Sequence, residues 1–170
     1  AMLVDPGTNP IYIVSKGARG GTVYAAPTNL STSKVNVLRE VAEAPAMVTD
    51  GAFAPDGSRL VLRDYVFAHV YNEPGSRLAR VTLPIQSQGE SVTYSPDGRS
   101  LLSGSEGANA KVWRVPLPRV ALATPLRSTR AAPPAEDAAD STGDMLVFGG
   151  NLLAVLFAAA DAGTWPVRDP

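Results

Sequence analysis

Lys16, Asp50, Arg63, Asp64, Glu90 and Glu106 are the side chains of this sequence best placed to do chemistry. Carboxylates gathered beside an ammonium and a guanidinium offer three kinds of work. Hard carboxylate oxygens suit calcium, the basic groups suit a phosphate or carboxylate, and two carboxyls in unlike surroundings can divide acid and base roles. Glu90 and Glu106 lead the set and are the candidate metal ligands. Each adjoins a glycine, Gly89 and Gly107, in a loop where a charge has little packing purpose. Arg63 is the weaker candidate, because strand alternation turns it toward an outer layer. The plainer reading of all six is a set of solvated edge charges with local ion pairs.

Other chemistry is excluded or disfavoured. The chain has no cysteine and a single histidine, His69, which removes thiolate zinc sites, disulfides and a Cys nucleophile. His69 lies among apolar neighbours in "VFAHVY" and reads as a half-buried strand residue. No nucleophile elbow, P-loop, dinucleotide fingerprint, zinc helix motif or EF-hand loop occurs. The glycine-rich "KGARGGT" (Lys16–Thr22) lies between two strands and opens no helix, so it reads as a hairpin loop. Net charge is −1 with the charges scattered, so no nucleic-acid footprint is present.

Elements that could gather those charges are written in a repeat. "VDPGTNPIYIVSK" (Val4–Lys16), "APDGSRLVLRDY" (Ala54–Tyr65) and "SPDGRSLLSGSE" (Ser95–Glu106) each place a Pro/Asp/Gly turn before an apolar run. Their starts lie 50 and 41 residues apart, a period suited to propeller blades. Proline presets φ at the first central position of such a turn, aspartate caps it, and glycine takes positive φ. Asp56 and Asp97 therefore read as turn-makers. Further strands follow at Val66–Tyr71 and, after "NEPGS", at Arg77–Pro84; Lys111–Pro118 echoes the last of these and is expected to close the next unit. Trp113 and Tyr94 read as packing between units. With Ile11, Leu60 and Leu101 superposed, the six charged residues fall at one end of successive units.

The expected fold is all-β: a partial β-propeller of about three four-stranded antiparallel blades over residues 1–118. An open sandwich of similar hairpins is the alternative. About three blades are fewer than the four to eight with which propellers close, and the text begins inside a repeat at Leu3. Further repeats before Ala1 are therefore expected, in preference to association of copies. Residues 1–20 carry no signal-peptide pattern.

The units "YSPDGRSLL" and "FAPDGSRLVL" resemble TolB-type and WD-repeat-like propeller repeats. "VSKGARGGTVY", "VTDGAFAPDGSRLVLRDY" and "QGESVTYSPDGRSLLSGSEG…VWRVPLP" resemble bacterial, mainly actinobacterial, extracytoplasmic propellers related to phytase-like or esterase-like ones. The resemblance covers about 1–118. It implies a propeller outside the cytoplasmic membrane, at the cell surface or periplasm side, often followed by a stalk and a C-terminal membrane segment.

Residues 119–144 are rich in Ala, Pro, Ser, Thr and Asp and read as a linker, too poor in apolar side chains to offset the entropy of ordering. Residues 145–165 open with the apolar run Met145–Ala160. They are read as a membrane anchor, although the run is shorter than the roughly 20 residues a span requires and Asp161 is costly in hydrocarbon. A segment packed within protein is the alternative; 166–170 form a short tail. The functional expectation is a binding or scaffold module taking a protein, glycan or small-molecule ligand at the channel mouth. The alternatives are a metal-assisted phosphoester or carboxylic ester hydrolase and, below it, a lactonase-type propeller with one calcium.

Overall fold

The computed structural model describes residues 1–7 and 9–122. Among these residues, eleven strands form three antiparallel sheets with strands in chain order, followed by one turn of helix. Sheet 1 holds β1 (Met2–Val4), β2 (Ile11–Val14), β3 (Gly21–Ala25) and β4 (Arg39–Ala44). Sheet 2 holds β5 (Asp50–Phe53), β6 (Leu60–Arg63), β7 (Phe67–Glu73) and β8 (Ser76–Thr82). Sheet 3 holds β9 (Gly89–Tyr94), β10 (Ser100–Ser105) and β11 (Trp113–Pro116). The helical turn α1 (Arg119–Leu122) follows. The described residues are all-β with almost no helix.

The repeated turns are made as their chemistry dictates. Gly57 and Gly98 take φ of 68° and 66°, and each donates its N–H to the carbonyl three residues back, Ala54 and Ser95, at 2.8 Å. The Asp56 carboxylate accepts from the Ser58 amide and hydroxyl at 3.0 and 2.6 Å. Asp97 accepts from the Arg99 amide at 3.0 Å and the Ser95 hydroxyl at 2.6 Å. Both side chains are held below the usual carboxylate range, chiefly by those hydroxyl hydrogen bonds. In the first copy the aspartate precedes the proline. Asp5 accepts from the Gly7 amide at 2.8 Å, and Asn9, not a glycine, takes positive φ.

Strand periodicity sends alternate side chains to opposite faces, and both faces of sheet 2 are used. Leu60, Leu62 and Tyr71 join Leu3, Val14 and Val23 of sheet 1 in one core cluster. Val61, Ala68 and Val70 join Val92, Tyr94 and Leu101 of sheet 3 in another. The first strands lie side by side, β1 against β5 and β5 against β9. Gly51 permits the first approach: a Cβ there would stand 3.1 Å from a Leu3 methyl and 2.8 Å from the Val61 carbonyl.

Three details differ from the sequence expectation. β11 pairs with β10 as the third strand of its sheet, and no fourth strand follows among the described residues. The "VWRVP" echo reflects a shared outer-strand composition rather than the same position. Arg119–Leu122, read as the start of a linker, form α1, whose Ala121 is fully buried in the second cluster. Arg59 Nη1 donates to the Ala121 carbonyl at 2.6 Å and fixes that docking. Trp113 is 43% exposed, whereas Tyr94 packs in the core as expected. No helix among the described residues is long and apolar enough to cross a membrane. The linker from residue 123 to 144, the apolar segment 145–165 and the tail 166–170 lie outside the described residues.

Candidate functional site

The ends of β2, β6 and β10 and the starts of β5 and β9 lie at the same end of the sheets. Cross-strand ties hold them there: the Thr49 amide donates to the Arg63 carbonyl at 2.9 Å, and the Thr49 hydroxyl reaches the Gly89 carbonyl at 3.2 Å. At this end one polar chain passes through all three sheets. Lys16 Nζ, just beyond β2, donates to the Tyr65 hydroxyl at 2.9 Å and stands 5.0 Å from the Tyr65 ring centre. Tyr65, between β6 and β7, donates in turn to Glu90 Oε1 on β9 at 3.4 Å. The Tyr65 hydrogen bond raises the Lys16 pKa, and the nearby Glu90 and Glu106 carboxylates add to the rise. Glu106 is tied locally, its carboxylate accepting from Gln88 Nε2 at 2.9 Å.

Asp50 and Arg63 lie beneath this chain and act within the fold. Asp50 and Arg63 face each other across β5 and β6. The Asp50 carboxylate accepts the Val92 amide of sheet 3 at 2.7 Å, which holds β9 to β5. Arg63 is fully buried. Its Nη1 points at the Ser91 carbonyl (2.9 Å), the Gly104 carbonyl and the Ser103 hydroxyl (3.1 Å each) and Gln86 Oε1 (3.3 Å). Its Nε donates to the Asp64 carbonyl at 3.1 Å. Burial pulls its pKa below the ordinary value, against the opposing pull of Asp50, Glu90 and Asp64. The strand alternation is the expected one, but the face it selects meets sheet 3 instead of solvent. Gly89 is the cradle: a Cβ there would overlap Arg63 Nη2 at 2.0 Å.

Asp64 is directed elsewhere. Its Oδ1 accepts the Val66 and Phe67 amides at 2.7 and 2.6 Å, capping the turn between β6 and β7. Its Oδ2 meets His69 Nε2 at 2.9 Å. His69 is 5% exposed, a strand histidine whose Nε2 is engaged by a turn carboxylate while its buried Nδ1 has no partner among the described residues.

The structure thus brings Lys16 and Glu90 together, with Glu106 near in charge. It sets Asp50 and Arg63 below them and sends Asp64 to a turn. Tyr65, which joins Lys16 to Glu90, and Gln88 are the residues the sequence reading did not single out. Both flank chosen positions, and only the packed sheets show that the Tyr65 hydroxyl spans the gap.

No family model matches this chain, and no curated protein matches it. What the site can do must therefore come from its own geometry. Calcium requires six to eight oxygens. Glu90 and Glu106 are engaged by a tyrosine hydroxyl and a glutamine amide, and no group of three His, Asp or Glu side chains converges among the described residues. The residues present do not fit a calcium cage. They offer an exposed ammonium, a phenol and two carboxylates. Beside them, Glu106, Lys111 and Trp113 line an open cleft of about 320 Å³.

Proposed function

We propose that residues 1–122 form a sector of a β-propeller, with each sheet a blade, and that the end carrying Lys16, Tyr65 and Glu90 binds a ligand or partner. One observation carries the reading: consecutive sheets each contribute one member of a single hydrogen-bonded chain. A rigid set of sheets presenting variable loops at one end is suited to recognition. The ligand is a protein, glycan or small molecule able to pair with an ammonium and carboxylates. The protein acts outside the cytoplasmic membrane, with 145–165 as its anchor, in keeping with the propeller resemblance of the repeat units. The hydrolase alternative gains no support from a carboxylate pair already occupied by Tyr65 and Gln88.

The test is a thermal-shift screen of glycans, peptides and small charged molecules, run on the wild type, Tyr65→Phe and Glu90→Gln. A ligand at one hundred times its Kd adds about 2.7 kcal/mol to stability. The reading expects a hit whose shift is lost in both variants while their unliganded stability is unchanged. Hits that ignore both substitutions would remove the site. For the anchor, deletion of Met145–Pro170 should release the protein from the membrane fraction, and unchanged retention would contradict it.

A further inference from the structure

Trp113 stands in the open at a position that the other two sheets keep better covered. It pairs with Ser103 across β10 and β11. The same register position is His69 in sheet 2 and Tyr24 in sheet 1. His69 is 5% exposed and Tyr24 half-buried, whereas Trp113 is 43% exposed. The loop between β8 and β9 does not close over the indole, because its Gln86 is turned inward. Ser103 Oγ donates to Gln86 Oε1 at 3.0 Å, Arg63 Nη1 reaches the same oxygen at 3.3 Å, and Gln86 Nε2 donates to the Ser103 carbonyl at 3.3 Å. Ile85, next to it, is left 100% exposed. The result is the open cleft of about 320 Å³, in which Ile85 and Trp113 supply apolar surface and Glu106 and Lys111 supply charge.

The cleft joins a wide apolar surface to a small number of polar groups, the composition of a small-molecule site. A pyranose ring has the complementary make-up: a face of C–H bonds and a rim of hydroxyls. An indole offers such a face a large, rigid contact with only two side-chain torsions to fix. A carboxylate accepts from hydroxyls and an ammonium donates to them. Glu106 Oε2 already accepts from Gln88 Nε2 at 2.9 Å, which fixes the carboxylate and leaves Oε1 for a ligand. Lys111 forms no ion pair among the described residues, so its donors are available. One acid and one base cancel, so the cleft has no preference for a charged ligand. Its volume lies at the small end of the roughly 300–1,000 Å³ of ligand pockets, which suits one or two rings.

We infer that this cleft binds a neutral pyranose unit of a glycan, with Trp113 and Ile85 against its C–H face and Glu106 and Lys111 on its hydroxyls. This narrows the ligand-binding reading above to one ligand class and rests on it. The cleft adjoins the Lys16–Tyr65–Glu90 chain, because Gln88, which holds Glu106, is two residues from Glu90.

Saturation-transfer NMR on the full chain tests this with the methyl glycosides of glucose, mannose and galactose, and with glucuronic acid and glucosamine as charged counterparts. An open cleft covering part of one ring gives a Kd of about 1 mM, so the probes are used at about 10 mM. The wild type should transfer saturation to the ring C–H protons of at least one neutral glycoside, more strongly than to the charged sugars. Trp113→Ala should weaken that binding about tenfold or more, and Trp113→Phe should restore part of it. Ile85→Ala, at a fully exposed position where folding tolerates the change, should weaken it as well. No transfer to any neutral glycoside would overturn the inference. So would sugar binding that ignores both Trp113→Ala and Ile85→Ala, or an uncharged Ala-Pro hexapeptide that needs Trp113 where no sugar does. A hit in the thermal-shift screen that needs Tyr65 and Glu90 but ignores Trp113 removes the sugar cleft alone and leaves the broader reading standing.

Discussion

Replacing Arg63 by methionine removes the guanidinium that ties sheet 2 to sheet 3 and keeps most of its apolar length. The Ser91 and Gly104 carbonyls, 2.9 and 3.1 Å from Nη1, lose a buried donor. Each group left unsatisfied costs about 1–3 kcal/mol. Release of a buried positive charge acts in the opposite direction, but Asp50 remains opposite the vacated position with less compensation. The net expectation is about 2–4 kcal/mol, a large part of the roughly 5–15 kcal/mol typical of a domain. Gly89→Ala should cost about 1–3 kcal/mol by overpacking, because its Cβ would overlap Arg63 Nη2 and that guanidinium is tethered. In the Arg63→Met background the same Gly89→Ala change meets a flexible thioether, so its cost should fall by about 1 kcal/mol or more. Urea unfolding of the four proteins at neutral pH, analysed as a double-mutant cycle, measures this coupling. Additive costs, or an Arg63→Met protein as stable as wild type, would refute the staple.

Three further predictions concern turns and buried polar groups. Gly57→Ala and Gly98→Ala should each lose about 1–3 kcal/mol in urea titration, since both glycines hold positive φ. Tyr94→Phe should be neutral or stabilising by about 1 kcal/mol, because its buried hydroxyl has no hydrogen-bond partner among the described residues and burial raises its pKa. Burial alone would raise the Asp64 pKa, yet the His69 contact and the Phe67 and Val66 amides bring it below the usual value. Its contribution is then present above the unfolded-state value of about 3.9 and is lost as pH falls through the lower folded value. Wild-type stability should drop more steeply than that of Asp64→Asn below about pH 4, read by urea midpoints across the acid range. Some acid loss persists in the variant because Asp56 and Asp97 are lowered as well.

The hairpins were legible in the sequence because their turns are local. Pro-Asp-Gly specifies φ, a side-chain cap and a reversal within a few residues, and Gly57 and Gly98 adopt that conformation. The gathering of strand ends was legible through the same superposition, since equal spacing from equal turns lands at the same end. The fate of each charge was not, because it depends on which sheet covers which face. Arg63 occupies the position that is Val14 in sheet 1 and Gly104 in sheet 3. Only the missing side chain at Gly89 leaves room for it between sheets. Asp64 was drawn away by two amides and His69, a local competition that charge type does not reveal. For Trp113 the side chain is apolar but its strand is the outermost of sheet 3 among the described residues, and it lines an open cleft instead of a core.

The account depends on sheets 1, 2 and 3 standing side by side through their first strands, because only then do Lys16, Tyr65 and Glu90 meet. A nuclear Overhauser spectrum of the full chain tests this most directly through Leu3 and Gly51, whose close approach no hairpin within either sheet can produce. The account predicts a strong cross-peak between a Leu3 methyl and the Gly51 α-protons. A spectrum in which Leu3 shows contacts only to its own sheet, with Gly51 seeing only β6, would contradict it.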